Sequence, residues 1–299
     1  MVSLERLLDL FRILLPWAVG AAVAATAYRL VPRLAPALRL VPGRPRVRMR
    51  RDPVPPAWRA IVARNVPLAA RLPDPDRERL LALAQVFLHE CPMEGIGLEL
   101  TDEIRVTIAA QACLPLLNLE YPRYPALRRV LVYPGVFQPR RLDTPRFGEI
   151  YHEPGATLGE AWTSGIVVLS WESALGGSLD PGDGQNVVLH EFAHVLDGEN
   201  GDLDGMPVLE RTSQVRAWRR VMAVAYELEL SELQEGREPP IHPYGATSRA
   251  EFFAVATEAF FERPLALRER LPELYGELRA FYRQDPAAGA PDPEPPQPA

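Results

Sequence analysis

His190-Glu191-Phe192-Ala193-His194 constrains this chain more than any other stretch of it. Residues four apart in an α-helix lie on one face about a turn along, so two imidazoles at this spacing can grip one metal ion. Glu191 directly follows the first histidine, beside the open coordination position, where its carboxylate can take a proton from water. The flanks agree with a helix. Asn186-Val187-Val188-Leu189 and Val195-Leu196 supply apolar residues at helical spacing, Asp183 or Asp180 can cap the start, and Gly198 and Gly201 suit an end just beyond His194. Asp197 falls on the metal-facing side. It is read either as an orienter that accepts a hydrogen bond from a ligand histidine or as a helix-end residue turned to solvent. The alternative for the whole motif is a core helix whose histidines are simply buried and hydrogen-bonded.

Two histidines leave a tetrahedral zinc short of one protein ligand before water takes the last position. No histidine lies between Gly198 and Arg211, so the third ligand is expected from farther along, as a carboxylate on a second helix. Ser248 to Phe261 is the candidate: it opens on a helix-start residue and is apolar through most of its length. Glu251 and Glu258, seven apart, share one of its faces. Ser248-x-x-Glu251 also reads as a capping box, in which the glutamate merely bonds back to the cap residue's N–H. Tyr244, in a Pro-Tyr-Gly turn, is either an ordinary packed tyrosine or a phenol that donates to an oxyanion near the metal.

His-Glu-Phe-Ala-His-Val-Leu-Asp at 190–197 is followed by Tyr244-Gly245-Ala246-Thr247-Ser248, Glu251-Phe252-Phe253-Ala254-Val255, Glu258, Phe260-Phe261-Glu262 and Pro264. This succession resembles the Mlc titration factor A family of zinc peptidases. The likeness reaches upstream through Leu131-Val132-Tyr133-Pro134, Glu160-Ala161-Trp162 and Gly165 to Trp171, and downstream to Phe281-Tyr282-Arg283-Gln284-Asp285-Pro286, covering about residues 55 to 286. The resemblance implies an α+β, zincin-like fold with a small mixed sheet, an active-site helix and a mostly helical C-terminal half. It implies one Zn2+ held by His190, His194 and Glu251, with Glu191 as general base and Tyr244 at the oxyanion, in a gluzincin-type hydrolase acting on a peptide or protein substrate. Ser248 stands where the resemblance leads one to expect asparagine, and both residues cap helices.

The length suits one large domain with appendages. A net charge of -6 argues against nucleic acid as a direct partner. All 33 basic residues are arginine, which with the abundant alanine and proline reads as coding bias. Cys91 and Cys113 are too few and too differently placed for a disulfide scaffold or a cysteine zinc site, and buried, reduced thiols fit a cytoplasmic body.

Three regions are expected: 1–51, 52–286 and a Pro-rich, acidic, disordered tail at 287–299. Residues 13–28 are uncharged and apolar, yet shorter than the roughly 20 residues of a usual spanning helix. Arg29, Arg33, Arg39 and the run Arg44 to Arg51 follow, favouring a cytoplasmic body and contact with anionic lipid, and opposing export by a cleavable signal. An inner-membrane anchor and an interfacial helix both remain open for 13–28. In the body, helices are expected at 74–90, 101–114 (capped by Thr101 or Asp102) and near 209–231, 248–262 and 265–283. Strands are expected at 129–134, 147–152 and 165–170. The last is either a core strand or a sheet edge along which an extended peptide pairs its backbone.

Rival chemistries fit less well. Asn200-Gly201-Asp202-Leu203-Asp204-Gly205 alternates like a calcium loop, but Asn200 replaces the first aspartate and Arg211 occupies the bidentate position, so a polar loop is expected. There is no Gly-x-Ser-x-Gly elbow for a serine hydrolase. His152 and His242 have no partner at ligand spacing, though His242 is close enough to Tyr244 to line a cleft. The contrasting class is a regulatory binding protein. The family's namesake sequesters a transcriptional repressor of sugar uptake, but no motif here identifies a repressor-binding surface.

Overall fold

From Glu251 to Glu262 every residue is buried, and a helix with no exposed face must lie at the centre of its domain. In the computed structural model, which describes residues 53–119, 124–135 and 165–290, this is helix α8, Arg249–Glu262. Before it come α1 (Pro56–Asn65), α2 (Pro67–Ala70), α3 (Asp74–Glu90), β1 (Met93–Gly95), α4 (Asp102–Cys113), β2 (Arg129–Tyr133), β3 (Ile166–Ser170), α5 (Trp171–Leu179), α6 (Val187–Asp197) and α7 (Thr212–Gln234). After it come α9 (Pro264–Arg270) and α10 (Pro272–Tyr282). The described residues are helix-rich with one small sheet.

The sheet order is β1-β2-β3, and both pairings are parallel, with Val130 opposite Val167 and Val132 opposite Leu169. The expectation of a mixed sheet is therefore not met among the described strands. Val130, Val132, Val167 and Leu169 are all but closed to water, as a strand covered by helices requires. β3 bonds only β2 among the described residues, which leaves it at the sheet edge. Gly165 precedes it, and its φ of +72 and closeness to Ala126 O, 2.3 Å from where a Cβ would stand, exclude a side chain there.

Helix α6 touches β3, α4 and α8. Phe192 packs its ring on Phe87 and Tyr124, at centroid distances of 5.7 and 4.8 Å. The far side of α8 rests on aromatic neighbours: Trp218 of α7 and Phe281 of α10 meet Phe253, and Tyr275 and Tyr282 of α10 meet Phe260. Burying each such side chain contributes about 1.5–3 kcal/mol, so this cluster anchors α8 firmly.

Helix α3 has the expected bounds, and Thr101 caps α4 by accepting the Ile104 N–H. The continuous helix expected over 265–283 is two helices, because Pro272 cannot continue α9 and instead opens α10. Helices α1, α2 and α5 and strand β1 had no expectation. Cys91 and Cys113 are buried and free of any disulfide. Beyond α10, Ala287 is buried and its N–H donates to Tyr275 Oη. No helix of the described residues is long and apolar enough to cross a membrane. Residues 13–28, the strand expected at 147–152, His152 and 291–299 lie outside the described residues.

Candidate metal centre

Helix α6 starts at Asn186, whose Oδ1 accepts the Leu189 N–H at 3.0 Å. The cap is thus neither Asp180 nor Asp183; Asp183 instead turns its carboxylate onto Gln185 N–H in the preceding loop. From this start His190 and His194 point their Nε2 atoms toward one another, 3.2 Å apart. Glu251 of α8 brings Oε2 to 2.9 Å from His190 Nε2 and 3.3 Å from His194 Nε2. All three residues are buried. Ser248 does cap α8, accepting the Glu251 N–H, but the Glu251 carboxylate turns to the histidines rather than back to the cap.

Glu258 takes a different place. Two turns along α8, its Oε1 accepts a hydrogen bond from His190 Nδ1 at 2.7 Å, and its Oε2 accepts the Asn186 N–H. A proton held at Nδ1 leaves the Nε2 lone pair facing Glu251 and His194. Donors bonded tetrahedrally to zinc at about 2.0–2.2 Å stand about 3.3–3.5 Å from one another. The three atoms here converge from two helices to 2.9–3.3 Å of each other, a set that could hold a metal ion. Two nitrogens facing each other cannot both act as hydrogen-bond acceptors without a shared proton or cation between them.

The charges are strongly perturbed. Burial works against a charged His190, yet Glu258 and Glu251 overcome it and push the imidazole up to about 10. Burial also tends to raise Glu251, but the bonds to His190 and His194 hold it down at about 2. Glu191, 3% exposed, is pushed up to about 8 by burial, with His190 pulling it down and Glu251 and Glu258 adding to the rise. Its Oε1 has no hydrogen-bond partner among the described residues. Such a carboxyl can take and return a proton near neutral pH.

Tyr244 sits on the 3-10 turn Pro243–Thr247, which packs on α8, and its ring lies 6.0 Å from that of His190. Burial, reinforced by the charges of Glu251 and Glu191, pushes its phenol up to about 12, so it stays a donor. His242 accepts the Tyr244 N–H at Nδ1 and so caps this turn. Asp197 corresponds to neither expectation: it is closed to water, and its Oδ2 accepts the Gly205 N–H. The polar loop after α6 is thereby folded back, with Asn200 Nδ2 donating to Met206 O. Gly205 has φ +76, and a Cβ on it would stand 2.4 Å from Arg249 O at the start of α8.

A small cavity beside His194 is lined by Leu127, Ile166 and Val195, against the β3 edge. A larger one, ≈ 280 Å³, lies between Arg71, Leu117, Phe261 and Gln284 and includes none of the residues above. Two buried positions behind the site had no sequence expectation of their own, Asn186 as the cap and Glu262 as its partner, with Asn186 Nδ2 donating to Glu262 Oε1 at 3.1 Å. The available signal was three glutamates at 251, 258 and 262 in a helix whose other residues, Arg249 and Thr257 apart, are apolar.

Residues 42–283 match the model of the glucose-regulated metallo-peptidase M90 family. The chain belongs to this family. It is 39% identical over 236 residues to an uncharacterized protein of Synechocystis, covering 78% of this chain and 86% of that one. It is 33% identical over 237 residues to Mlc titration factor A of Pectobacterium atrosepticum, covering 77% and 87%. The Klebsiella pneumoniae protein of the same name is also 33% identical, over 235 residues, with 77% and 87% covered. The family resemblance seen in the motifs thus extends over most of the chain.

Proposed function

We propose that this M90 family member is a zinc-dependent, gluzincin-type peptidase of zincin-like fold. The observation that carries the reading is the buried convergence of His190 Nε2, His194 Nε2 and Glu251 Oε2 within 3.3 Å. These three residues would hold the ion, with Glu258 keeping the His190 ring in place. A bound zinc supplies Lewis acidity to the substrate carbonyl and lowers the pKa of water at its open position.

The chain's own groups do the rest. Glu191, poised near neutrality, takes the proton of the attacking water and returns it to the leaving amine. Tyr244, its phenol kept protonated, donates to the developing oxyanion. The outer edge of β3, unpaired among the described residues, suits an extended peptide that pairs its backbone along the strand. We assign the body to the cytoplasm, with residues 13–28 and the arginines after them as a contact for the inner membrane.

Glu191→Gln tests the reading. It is expected to keep stoichiometric zinc while peptide cleavage falls about 10²–10⁴-fold. Undiminished cleavage would overturn it.

The relatives named Mlc titration factor A favour a second reading, in which the chain binds a transcriptional regulator and cleavage is secondary. Wild-type protein that carries zinc, cleaves no peptide and co-purifies with such a regulator would decide for it.

A further inference from the structure

Asn186 is 1% exposed, and each of its polar groups is engaged. Its N–H donates to Glu258 Oε2, its Oδ1 accepts the Leu189 N–H, its Nδ2 donates to Glu262 Oε1, and its carbonyl accepts the His190 N–H at 2.9 Å. Glu258 carries the line onward through its other oxygen to His190 Nδ1. A continuous buried chain of hydrogen bonds therefore runs from Glu262 through Asn186 and Glu258 to the ring that faces Glu251.

We infer that Asn186 and Glu262 are positioning residues for His190, acting through Glu258. The inference rests on the metal-binding reading of His190. Glu258 can fix the His190 ring only if its carboxylate does not swing, and Asn186 N–H holds the oxygen that His190 does not use. Asn186 is itself fixed from the opposite side by Glu262, at the last turn of α8. Arg71 closes the frame, donating to Phe261 O and Glu262 O at that end of α8 and to Pro181 O in the loop ahead of α6.

The residue types are specific to this task. A helix cap needs an acceptor, and aspartate, asparagine and serine all provide one. Glu262 needs a donor as well, and the carboxamide of asparagine supplies both from one side chain. Burial pushes Glu262 up to about 9, with Glu258 and Asp183 adding to the rise against Asn186 and Arg71, so it is a neutral acid near pH 7. Glutamine at 262 keeps the acceptor oxygen and the volume; leucine keeps only the volume.

The test uses the full chain and two readouts, zinc affinity by competition with a chromophoric chelator and the visible absorption bands of the Co2+-loaded protein. Asn186→Ser, which keeps the cap oxygen but cannot span to Glu262, and Glu262→Leu are expected to weaken zinc about tenfold, the low end for partners outside the ligand set, and to shift the cobalt bands. Glu262→Gln is expected to restore both. Asn186→Thr, which also keeps a cap oxygen without reaching Glu262, replaces the serine variant if circular dichroism shows that variant unfolded.

Folded Asn186 and Glu262→Leu variants with wild-type affinity and unshifted bands overturn the inference. If Glu258→Ala alone then weakens zinc, the ligand set stands without the longer chain. Wild-type protein that binds zinc no better than His190→Ala overturns the ligand set itself, and this inference with it.

Discussion

Glu251 and Glu229 are both carboxylates closed off from water, and the protein treats them in opposite ways. Glu251 lies between two histidines on the α6–α8 junction, and their bonds hold it at about 2 against the pull of burial. Glu229 lies on α7 under the loop that leads to Tyr244, where burial pushes it up to about 7, only partly offset by the Ile241 N–H and the more distant charge of Arg270. A buried carboxylate next to nitrogen bases stays charged and can hold a cation. One that meets mainly a backbone N–H leans toward the neutral acid and serves as a structural clasp. Burial alone therefore does not mark a site; the partners do.

The sharpest way to break this contrast is Glu251→Ala. It is expected to lose zinc at stoichiometric loading, with hydrolysis reduced beyond the roughly 10²–10⁴-fold effect of a lost general base, while Glu258→Ala retains a weakened site. Zinc loss only in Glu258→Ala, read by metal analysis, would exchange their roles. Next in size is Tyr244→Phe, expected to lower kcat about 10²–10³-fold, as for loss of one oxyanion donor, with zinc content unchanged.

A subtler effect is proton release. His190 holds its proton up to about 10, so a cation must displace it, and apparent zinc affinity is expected to rise with pH up to that region. Calorimetry at pH 7 in buffers of differing ionisation heat should show about one proton released. The smallest effect belongs to Glu229. Its folded-state value of about 7 exceeds its ordinary 4.5, so the folded protein holds the proton and stability falls as pH rises through that window. Glu229→Gln should remove this slope, leaving the variant a few degrees more stable relative to wild type at pH 8 than at pH 5 by thermal melts.

Much of the site was legible because it is local. The spacing of His190 and His194 fixes their common face, and the apolar run around Glu251 and Glu258 announces a second buried helix. Which glutamate meets which nitrogen is a matter of how α8 crosses α6, and spacing along one helix cannot encode that. The motif resemblance supplied Glu251 where spacing left Glu251 and Glu258 equal. Asn186 was passed over because Asp180 and Asp183 are equally good caps by residue type, and the Leu189 N–H bond that makes Asn186 the cap is set by where the helix begins in the fold. In the fold, β1 is three residues with a glutamate and a glycine, formed because β2 offers it a ladder. Helix α5 contains Gly176-Gly177, which reads as a loop; a Cβ at Gly177 would stand 2.7 Å from Gln185 O, so close packing explains that glycine.

The contact of Gly205 with Arg249 O has a mechanical meaning. Where side chains separate two helices, rotamer exchange over picoseconds to nanoseconds lets the gap breathe. Here main chain meets main chain, and a peptide plane has no rotamers to exchange. The approach of the loop after α6 to the first turn of α8, two residues before Glu251, is thereby as stiff as the backbone itself.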